Sequence, residues 1–218
     1  MYVPLFYGAP GEKGAFEICA GAILTQNTAW TNVEKALAAL HAAGLLSAAA
    51  VAACPLPRLE RCVRSSGYYK QKARRLKEFC RRALAEHPEG LRAWFAAAGA
   101  ARLRAELLSY KGIGPETADS MVLYAAAKPS FVIDAYARRA GERFGLWRGP
   151  AYEGWKALFE AALPPDVKVY NEYHALLVRL GKDFCKKTAP LCGACPLARA
   201  CLKRTYGPRK NRRTAGRR

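Results

Sequence analysis

The sequence lacks the features that would place the protein in a membrane or outside the cell. No apolar run in its 218 residues reaches the roughly 18 residues that a membrane-spanning helix needs. The chain also does not open on the charged and then apolar segment of a secretory signal. We therefore expect a cytoplasmic protein that has no membrane partner.

Acidic residues are scarce. The 17 Asp and Glu residues stand against 36 Lys and Arg residues, so the formal net charge is +19. Such an excess creates a positive field that attracts polyanions. Acidic membranes and ribosomes also attract basic proteins, but nucleic acid is the most frequent partner of this kind. The composition therefore favours a nucleic-acid partner.

The alternation of apolar and polar residues that marks a half-buried strand is nearly absent. Only Phe131-Val132-Ile133 resembles a short extended piece. Elsewhere the spacing of apolar residues is helical: the long stretch Ala22–Leu40 is predicted to be helical, and Gln71–Leu84 to be a helix with a dense basic face. The breaks between such segments are too short for flexible linkers. The chain is predicted to be all-α.

The eight cysteines fall into two groups, and neither has the pattern of a secreted disulfide scaffold. The first group is dispersed in alanine-rich sequence and is expected to be buried: Cys19, Cys54, Cys62 and Cys80. The second group has the spacing C-x6-C-x2-C-x5-C: Cys185, Cys192, Cys195 and Cys201. Four thiolates suit tetrahedral zinc or a 4Fe–4S cluster, and spacing alone leaves both open.

Two glycines flank one apolar residue in Lys111-Gly112-Ile113-Gly114-Pro115, between two helical patterns. Because glycine has no Cβ, such a turn lets backbone N–H groups approach a phosphate closely. A triplet of this kind is by itself most often only a tight turn. Eighteen residues after Glu116, Asp134 stands immediately before another predicted helix, where an aspartate is a good N-cap.

Together, the glycine turn, the aspartate and the cysteine ending resemble the endonuclease III superfamily of helix-hairpin-helix DNA glycosylases. Segments 24–28, 66–73 and 112–119 are similar to its endonuclease III-related branch, which includes 3-methyladenine DNA glycosylase III. The resemblance implies a two-lobed fold, with residues 21–129 as a helical bundle that ends in the hairpin. Residues 1–20 and 130–218 would form the second lobe, with a basic tail and a 4Fe–4S cluster on the four grouped cysteines.

The resemblance also implies roles for two acidic residues in catalysis. Asp134 matches the family's essential aspartate, which would stabilise charge on the sugar and orient or deprotonate the attacking water. Glu116 matches the position of the lysine that forms a Schiff base in bifunctional glycosylase/lyases. A carboxylate cannot form that imine, so lyase activity is not expected. A first-turn acid favoured by the helix dipole is an equally good interpretation of Glu116.

Contacts with DNA and with the damaged base follow from the same resemblance. Gln26 matches a glutamine that fills the gap left by the extruded nucleotide. The hairpin residues Lys111, Gly112, Gly114 and Pro115 are predicted to bind phosphate. Trp30 matches an aromatic residue that stacks on the alkylated base, and Tyr7 is the candidate for a second wall of this pocket. His174 is predicted to be a packed structural histidine.

The expected function is therefore base-excision repair by a monofunctional DNA N-glycosylase, acting as a monomer on double-stranded DNA in a bacterial or archaeal cell. The first substrate suggested is an alkylated purine such as 3-methyladenine. Two alternatives remain: a bifunctional enzyme for oxidised pyrimidines or mismatches, and a non-catalytic module that recognises damaged DNA.

Overall fold

The computed structural model describes residues 11–202 of the chain. Over this range the protein is helical and contains no β-strand, which confirms the predicted all-α class. The α-helices are α1 (Glu12–Leu24), α2 (Trp30–Ala42), α3 (Ala48–Ala53), α4 (Leu56–Cys62), α5 (Tyr69–Glu86), α6 (Leu91–Ala97), α7 (Ala100–Leu108), α8 (Pro115–Ser120), α9 (Ala135–Phe144), α10 (Tyr152–Ala162) and α11 (Val167–Asp183). Three shorter helical segments are 3₁₀ turns at Arg64–Ser66 and Cys192–Ala194 and a π-helix at Met121–Ala125. No helix within the described range is both long and apolar enough to span a membrane.

The predicted helix over Ala22–Leu40 is wrong in one respect, because the structure divides it in two. α1 ends at Leu24 and α2 begins at Trp30, so residues 25–29 form a loop. In this loop the φ angle of Asn27 is 55°, in the left-handed region that asparagine tolerates better than most residues. Threonine and asparagine side chains also bond to nearby backbone groups and favour turns, a signal that the alanine-rich flanks obscured.

A first hydrophobic core occupies the helices from α1 to the π-helix. α1 is buried along most of its length, and Phe16, Ile23 and Leu24 are almost wholly excluded from solvent. Three of the four dispersed cysteines are buried as expected, whereas Cys62 is only partly buried. α1 thus lies within the first core, in contact with α2, α5, α6, α8 and the π-helix.

A second core lies among the extended segment 130–134, α10 and α11. The Phe131 and Phe159 rings stack with centroids 4.7 Å apart, and Tyr170 meets Phe131 edge-on at 5.4 Å. Trp155 is fully buried beside them. This core fixes the backbone that leads into Asp134. The division of the chain into residues 21–129 and the remainder stays a prediction, because residues 1–10 and 203–218 lie outside the described range.

Buried charges connect the two cores through α8. The Asp119 carboxylate is fully buried and accepts from Arg104 Nε at 2.8 Å and from Ser130 Oγ at 2.5 Å. Lys156 Nζ of α10 lies 3.3 Å from the same carboxylate. A buried charge is tolerated only when it is paired and hydrogen-bonded, so this cluster holds α7, α8 and α10 in one arrangement.

The basic face predicted on α5 is only partly open to solvent. Lys72 Nζ donates to the last carbonyl of α1 at 2.8 Å, and Lys77 Nζ donates to a carbonyl of α3 at 2.6 Å. Arg82 Nη1 donates to the carbonyl that follows α7 at 2.8 Å. These cations therefore bind ends of neighbouring helices, while Arg74 and Arg81 remain exposed.

Candidate active site

The hairpin between α7 and α8 carries the predicted phosphate contacts: Lys111, Gly112, Gly114 and Pro115. Gly112 has a φ angle of 86°, and a Cβ there would lie only 2.8 Å from Arg75 Cδ, so the position requires glycine. Ile113 is 7% exposed and anchors the turn in the first core. Lys111 and Gly114 face solvent and are open to a phosphate, whereas the Ile113 N–H donates to the Tyr110 carbonyl within the turn at 3.0 Å.

Gln26 fastens the α1–α2 loop to this hairpin. Its Nε2 donates to the Gly112 carbonyl at 3.1 Å and to Thr117 Oγ1 at 3.2 Å. Its Oε1 accepts from Arg75 Nη1 at 2.9 Å. The structure therefore places Gln26 beside the hairpin, and its insertion into a duplex would require it to exchange these protein partners for DNA.

A strongly exposed aromatic residue precedes α5, and no role was predicted for it from the sequence. The Tyr68 side chain is 74% exposed, and its φ angle of 45° is in the left-handed region. Lys72 Nζ joins this turn to the end of α1, because it also donates to the Ser66 carbonyl at 2.6 Å. Strained backbone of this kind is concentrated at functional sites, but no periodicity or composition signal marks it in the sequence.

Asp134 is the N-cap of α9, as the sequence predicted. Its Oδ1 accepts from the backbone N–H groups of Tyr136 at 2.9 Å and Ala137 at 2.7 Å. Its Oδ2 lies 3.5 Å from His174 Nε2 of α11. Burial alone would raise the pKa of Asp134, but His174 and the two N–H groups outweigh it and lower the pKa below its usual value. The carboxylate is therefore ionised at neutral pH.

Glu116 lies in the first turn of α8 and is close enough to Asp134 for their charges to repel. Desolvation by the surrounding protein is the main cause that raises the pKa of Glu116 to about 7. The charge of Asp134 adds to the increase, whereas His174 opposes it. The side chain keeps access to solvent. Two carboxyl groups whose pKa values are driven apart can divide the roles of acid and base between them.

His174 lies next to Asp134, although the sequence suggested only a packed structural residue. Its Nδ1 is 2.6 Å from the Tyr124 hydroxyl, on the π-helix. Its side chain is 13% exposed, so the pair with Asp134 is largely shielded from water. The three residues come from separate elements, so no local sequence signal could have joined them.

Only one of the two residues predicted for the base pocket lies within residues 11–202. Trp30 begins α2 and packs over α1, where a Cβ at Gly21 would come within 3.3 Å of the indole ring. Its Nε1 donates to Glu34 Oε1 at 2.8 Å. Tyr7 lies outside the described residues. The pocket role of both residues therefore stays a prediction.

The grouped cysteines follow α11 and are partly buried free thiols: Cys185, Cys192, Cys195 and Cys201. Between residues 11 and 202 no three His, Cys, Asp or Glu side chains are gathered closely enough to hold a metal ion. The donor set nevertheless fits a thiolate-bound metal or cluster, because one short segment supplies four free thiols. Arg143 of α9 tethers this segment, with Nη1 at 2.8 Å from the Lys186 carbonyl and 3.1 Å from Cys185 Sγ.

The comparisons with known proteins assign this all-α fold, with its glycine hairpin and nearby aspartate, to a class of DNA repair proteins. Residues 20–165 match the family model of the HhH-GPD superfamily base excision DNA repair proteins. The chain belongs to this superfamily. It is 41% identical, over 190 residues, to MJ1434 of Methanocaldococcus jannaschii, a protein named as a DNA repair glycosylase; the match covers 87% of this chain and 86% of the relative.

Solved structures give the same relationship. One is Helicobacter pylori 3-methyladenine DNA glycosylase bound to 1,N6-ethenoadenine, with 29% identity, a TM-score of 0.68, and coverage of 77% of this chain and 84% of that chain. A non-covalent endonuclease III–DNA complex has a TM-score of 0.77 at 24% identity, covers 94% of this chain and 90% of that chain, and shows the shared fold. The predicted membership of the endonuclease III superfamily is confirmed, and the protein is a base-excision-repair DNA glycosylase.

Proposed function

We propose that the protein is a monofunctional DNA N-glycosylase that releases a damaged base by hydrolysis, with an alkylated purine as the first substrate to test. The observation that carries this proposal is that Glu116, in the first turn of α8 after the hairpin, lies near the Asp134 carboxylate at the start of α9. The matching position in bifunctional relatives is a lysine that forms an imine, which a carboxylate cannot do. The ethenoadenine bound by the Helicobacter pylori relative is also an alkylated purine.

Asp134 is suited to hydrolysis because its charge is retained at neutral pH. As the N-glycosidic bond breaks, its electron pair leaves with the base and positive charge develops on the sugar, as in glycoside hydrolysis. The Asp134 carboxylate stabilises that charge and accepts a proton from the water that attacks the sugar C1′. A cationic alkylated purine leaves as a neutral base, so it needs no further proton.

Glu116 can hold the proton that a neutral substrate would require. Its pKa of about 7 leaves a large fraction of the carboxyl protonated at neutral pH. A proton donor is most effective when its pKa lies near the working pH. Glu116 would therefore assist the departure of bases that are not already cationic, while Asp134 acts on every substrate.

The DNA duplex would lie across the hairpin and the α1–α2 loop. Lys111 and the hairpin backbone would bind phosphate, while Gln26 and Tyr68 lie where side chains could support a duplex from which one nucleotide is extruded. Exposed Arg74 and Arg81 add to the positive surface of α5. Binding of this kind weakens as the salt concentration rises, because Lys and Arg side chains displace counterions from the phosphates and that release is less favourable at high salt.

The grouped cysteines would hold a 4Fe–4S cluster, and the related endonuclease III superfamily supports this choice over zinc. When bound, the cluster would cross-link the segment after α11 through four sulfur–iron bonds. Arg139 and Arg143 already tie that segment to α9, whose N-cap is Asp134. We expect a monomer of the bacterial or archaeal cytoplasm whose cluster has a structural role.

A base-release screen tests this function. Duplexes would carry 3-methyladenine, hypoxanthine, uracil, a thymine mispair or an oxidised pyrimidine, and release would be followed in single turnover. Asp134→Asn should slow release at least about a hundredfold, the size of a typical general-base contribution, while binding to a duplex with a tetrahydrofuran abasic site is kept. Undiminished release would refute the role of Asp134. Borohydride trapping should yield no covalent adduct, and a strong adduct would instead identify a lyase.

A further inference from the structure

His174 stands between two groups that come from different parts of the chain. Its Nδ1 lies 2.6 Å from the Tyr124 hydroxyl, and its Nε2 lies 3.5 Å from Asp134 Oδ2. Among residues 11–202, His174 Nε2 is the one buried side-chain nitrogen or oxygen that lacks a hydrogen-bond partner. A buried polar group without a partner is destabilising, so its retention here calls for an explanation.

The backbone around this histidine departs from a regular helix. Tyr124 lies in the π-helix Met121–Ala125 that continues α8. π-helical turns are rare in proteins, and those that occur are often found at functional sites. α11 packs against both the π-helix and α9. Three elements thus converge on one imidazole ring.

We propose that His174 is a positioning residue for Asp134, which donates its Nε2–H to Asp134 Oδ2 while its Nδ1 accepts the Tyr124 hydroxyl proton. This inference rests on the proposed role of Asp134. Oδ1 already accepts two N–H groups of α9, which hold that side of the carboxylate in place. Oδ2 is therefore the oxygen whose position remains to be fixed. A distance of 3.5 Å is long for a hydrogen bond, and such contacts often shorten when substrate binds.

The contacts of the ring fit a hydrogen on Nε2 and an acceptor at Nδ1. If Nε2 carries the hydrogen, Nδ1 must accept, and the Tyr124 hydroxyl supplies the donor. The second partner of a histidine selects its tautomer in the same way at many functional sites. Two further ionisable groups face the Asp134–His174 pair: the Tyr124 hydroxyl on the π-helix, and Glu116 from α8, which repels the carboxylate. His174 is thus the side chain that opposes burial and Glu116 in keeping Asp134 charged.

The proposal makes a directional prediction for pH. The pKa of Asp134 is lowered below its usual value, mainly by His174 and the α9 N–H groups against the effect of burial. Burial and the charge of Glu116 both favour the protonated form of Asp134. Without the Nε2–H donor, less opposes these two effects, so the pKa of Asp134 rises. The acid limb of the base-release profile then moves to higher pH. Each unit of movement slows release about tenfold at pH values on that limb.

The experiment compares His174→Ala, His174→Gln and Tyr124→Phe with the wild-type holoprotein. The ionisation of Asp134 is followed by ¹³C NMR of labelled aspartate carboxyl groups, with Asp134→Asn to assign the signal. Single-turnover release from a 1,N6-ethenoadenine duplex and from the best substrate of the screen is measured across the same pH range. Leu176→Ala, on an exposed position of α11, is the matched control.

We expect His174→Ala to move the Asp134 titration midpoint and the acid limb together to higher pH. Glutamine offers an amide donor where Nε2 stood, so His174→Gln should shift both less than alanine does. Tyr124→Phe should shift both in the same direction, because the tautomer is no longer fixed. Leu176→Ala should leave both unchanged. A His174→Ala protein whose carboxyl titrates as in the wild type would overturn the proposal.

Two outcomes separate this inference from the proposed function. If Asp134→Asn still releases base, the catalytic role of Asp134 fails, whereas the NMR titration still reports whether His174 controls its ionisation. If His174→Ala does not fold, as judged by circular dichroism, His174→Gln and Tyr124→Phe decide the question. Unshifted titrations in both of these variants would refute the positioning role.

Discussion

Replacement of the buried Asp119 by asparagine should strongly destabilise the protein. The Asp119 carboxylate is fully buried and accepts from Arg104 Nε at 2.8 Å and Ser130 Oγ at 2.5 Å, with Lys156 Nζ at 3.3 Å. Asparagine has nearly the same shape but no charge, so two cations lose their shared partner. Removal of one member of a buried ion pair typically costs about 3 to 5 kcal/mol.

The structure argues for the lower end of that range. Arg104 keeps Glu153 at 2.6 Å, and Lys156 keeps Glu160 at 2.5 Å, so neither cation is left without an anion. We therefore expect a loss of about 3 kcal/mol in the free energy of unfolding. For a chain of this size, such a loss lowers the melting temperature by about 6 to 12 °C.

Urea denaturation of the holoprotein, followed by circular dichroism, measures this loss directly. The matched control is Glu153→Gln, which removes an exposed partner of the same arginine. Glu153 is 60% exposed, so its loss should cost less than about 1 kcal/mol. If the free energy of unfolding of Asp119→Asn also falls by less than about 1 kcal/mol, the buried cluster does not hold the two cores together.

Further predictions concern the site and the cysteines. The pKa of Glu116 is raised from 4.5 to about 7, so ionisation of this group opposes folding across that window. Glu116→Gln should therefore gain stability relative to the wild type as pH rises from about 4.5 to 7. The same substitution should remove the decline above pH 7 in the release of bases that need a proton. An unchanged alkaline decline would contradict the role of Glu116 as proton donor. Cys192→Ala should lower both bound iron and the melting temperature, as metal analysis and calorimetry can measure. A wild-type protein that is colourless and contains zinc would refute the cluster.

Much of the helical architecture could be predicted from local signals. The helix predicted after Asp134 is present as Ala135–Phe144, because an aspartate N-cap precedes it and a glycine follows it. The α1–α2 loop could not be placed, since high helix propensity around it obscured a weak turn signal.

The candidate site was predictable only in part. Sequence motifs brought Gln26, Glu116 and Asp134 to attention, but spacing says nothing about what each side chain contacts. Gln26 was expected at the DNA, and the structure bonds its amide to the hairpin. His174 is largely buried, as a packed histidine should be, but the sequence did not indicate that it lies beside Asp134. The fine roles of these residues in base release stay predictions.

By itself, the sequence determined the all-α class, the glycine hairpin, the capped aspartate and the family, because each of these depends on neighbouring residues or on a short motif. Only the tertiary structure decided the electrostatics of the site. The pKa of about 7 at Glu116 and the charged state of Asp134 arise from groups on α8, α9 and α11. Residues far apart in the chain can interact in this way only after packing has excluded water and brought them within a few ångströms.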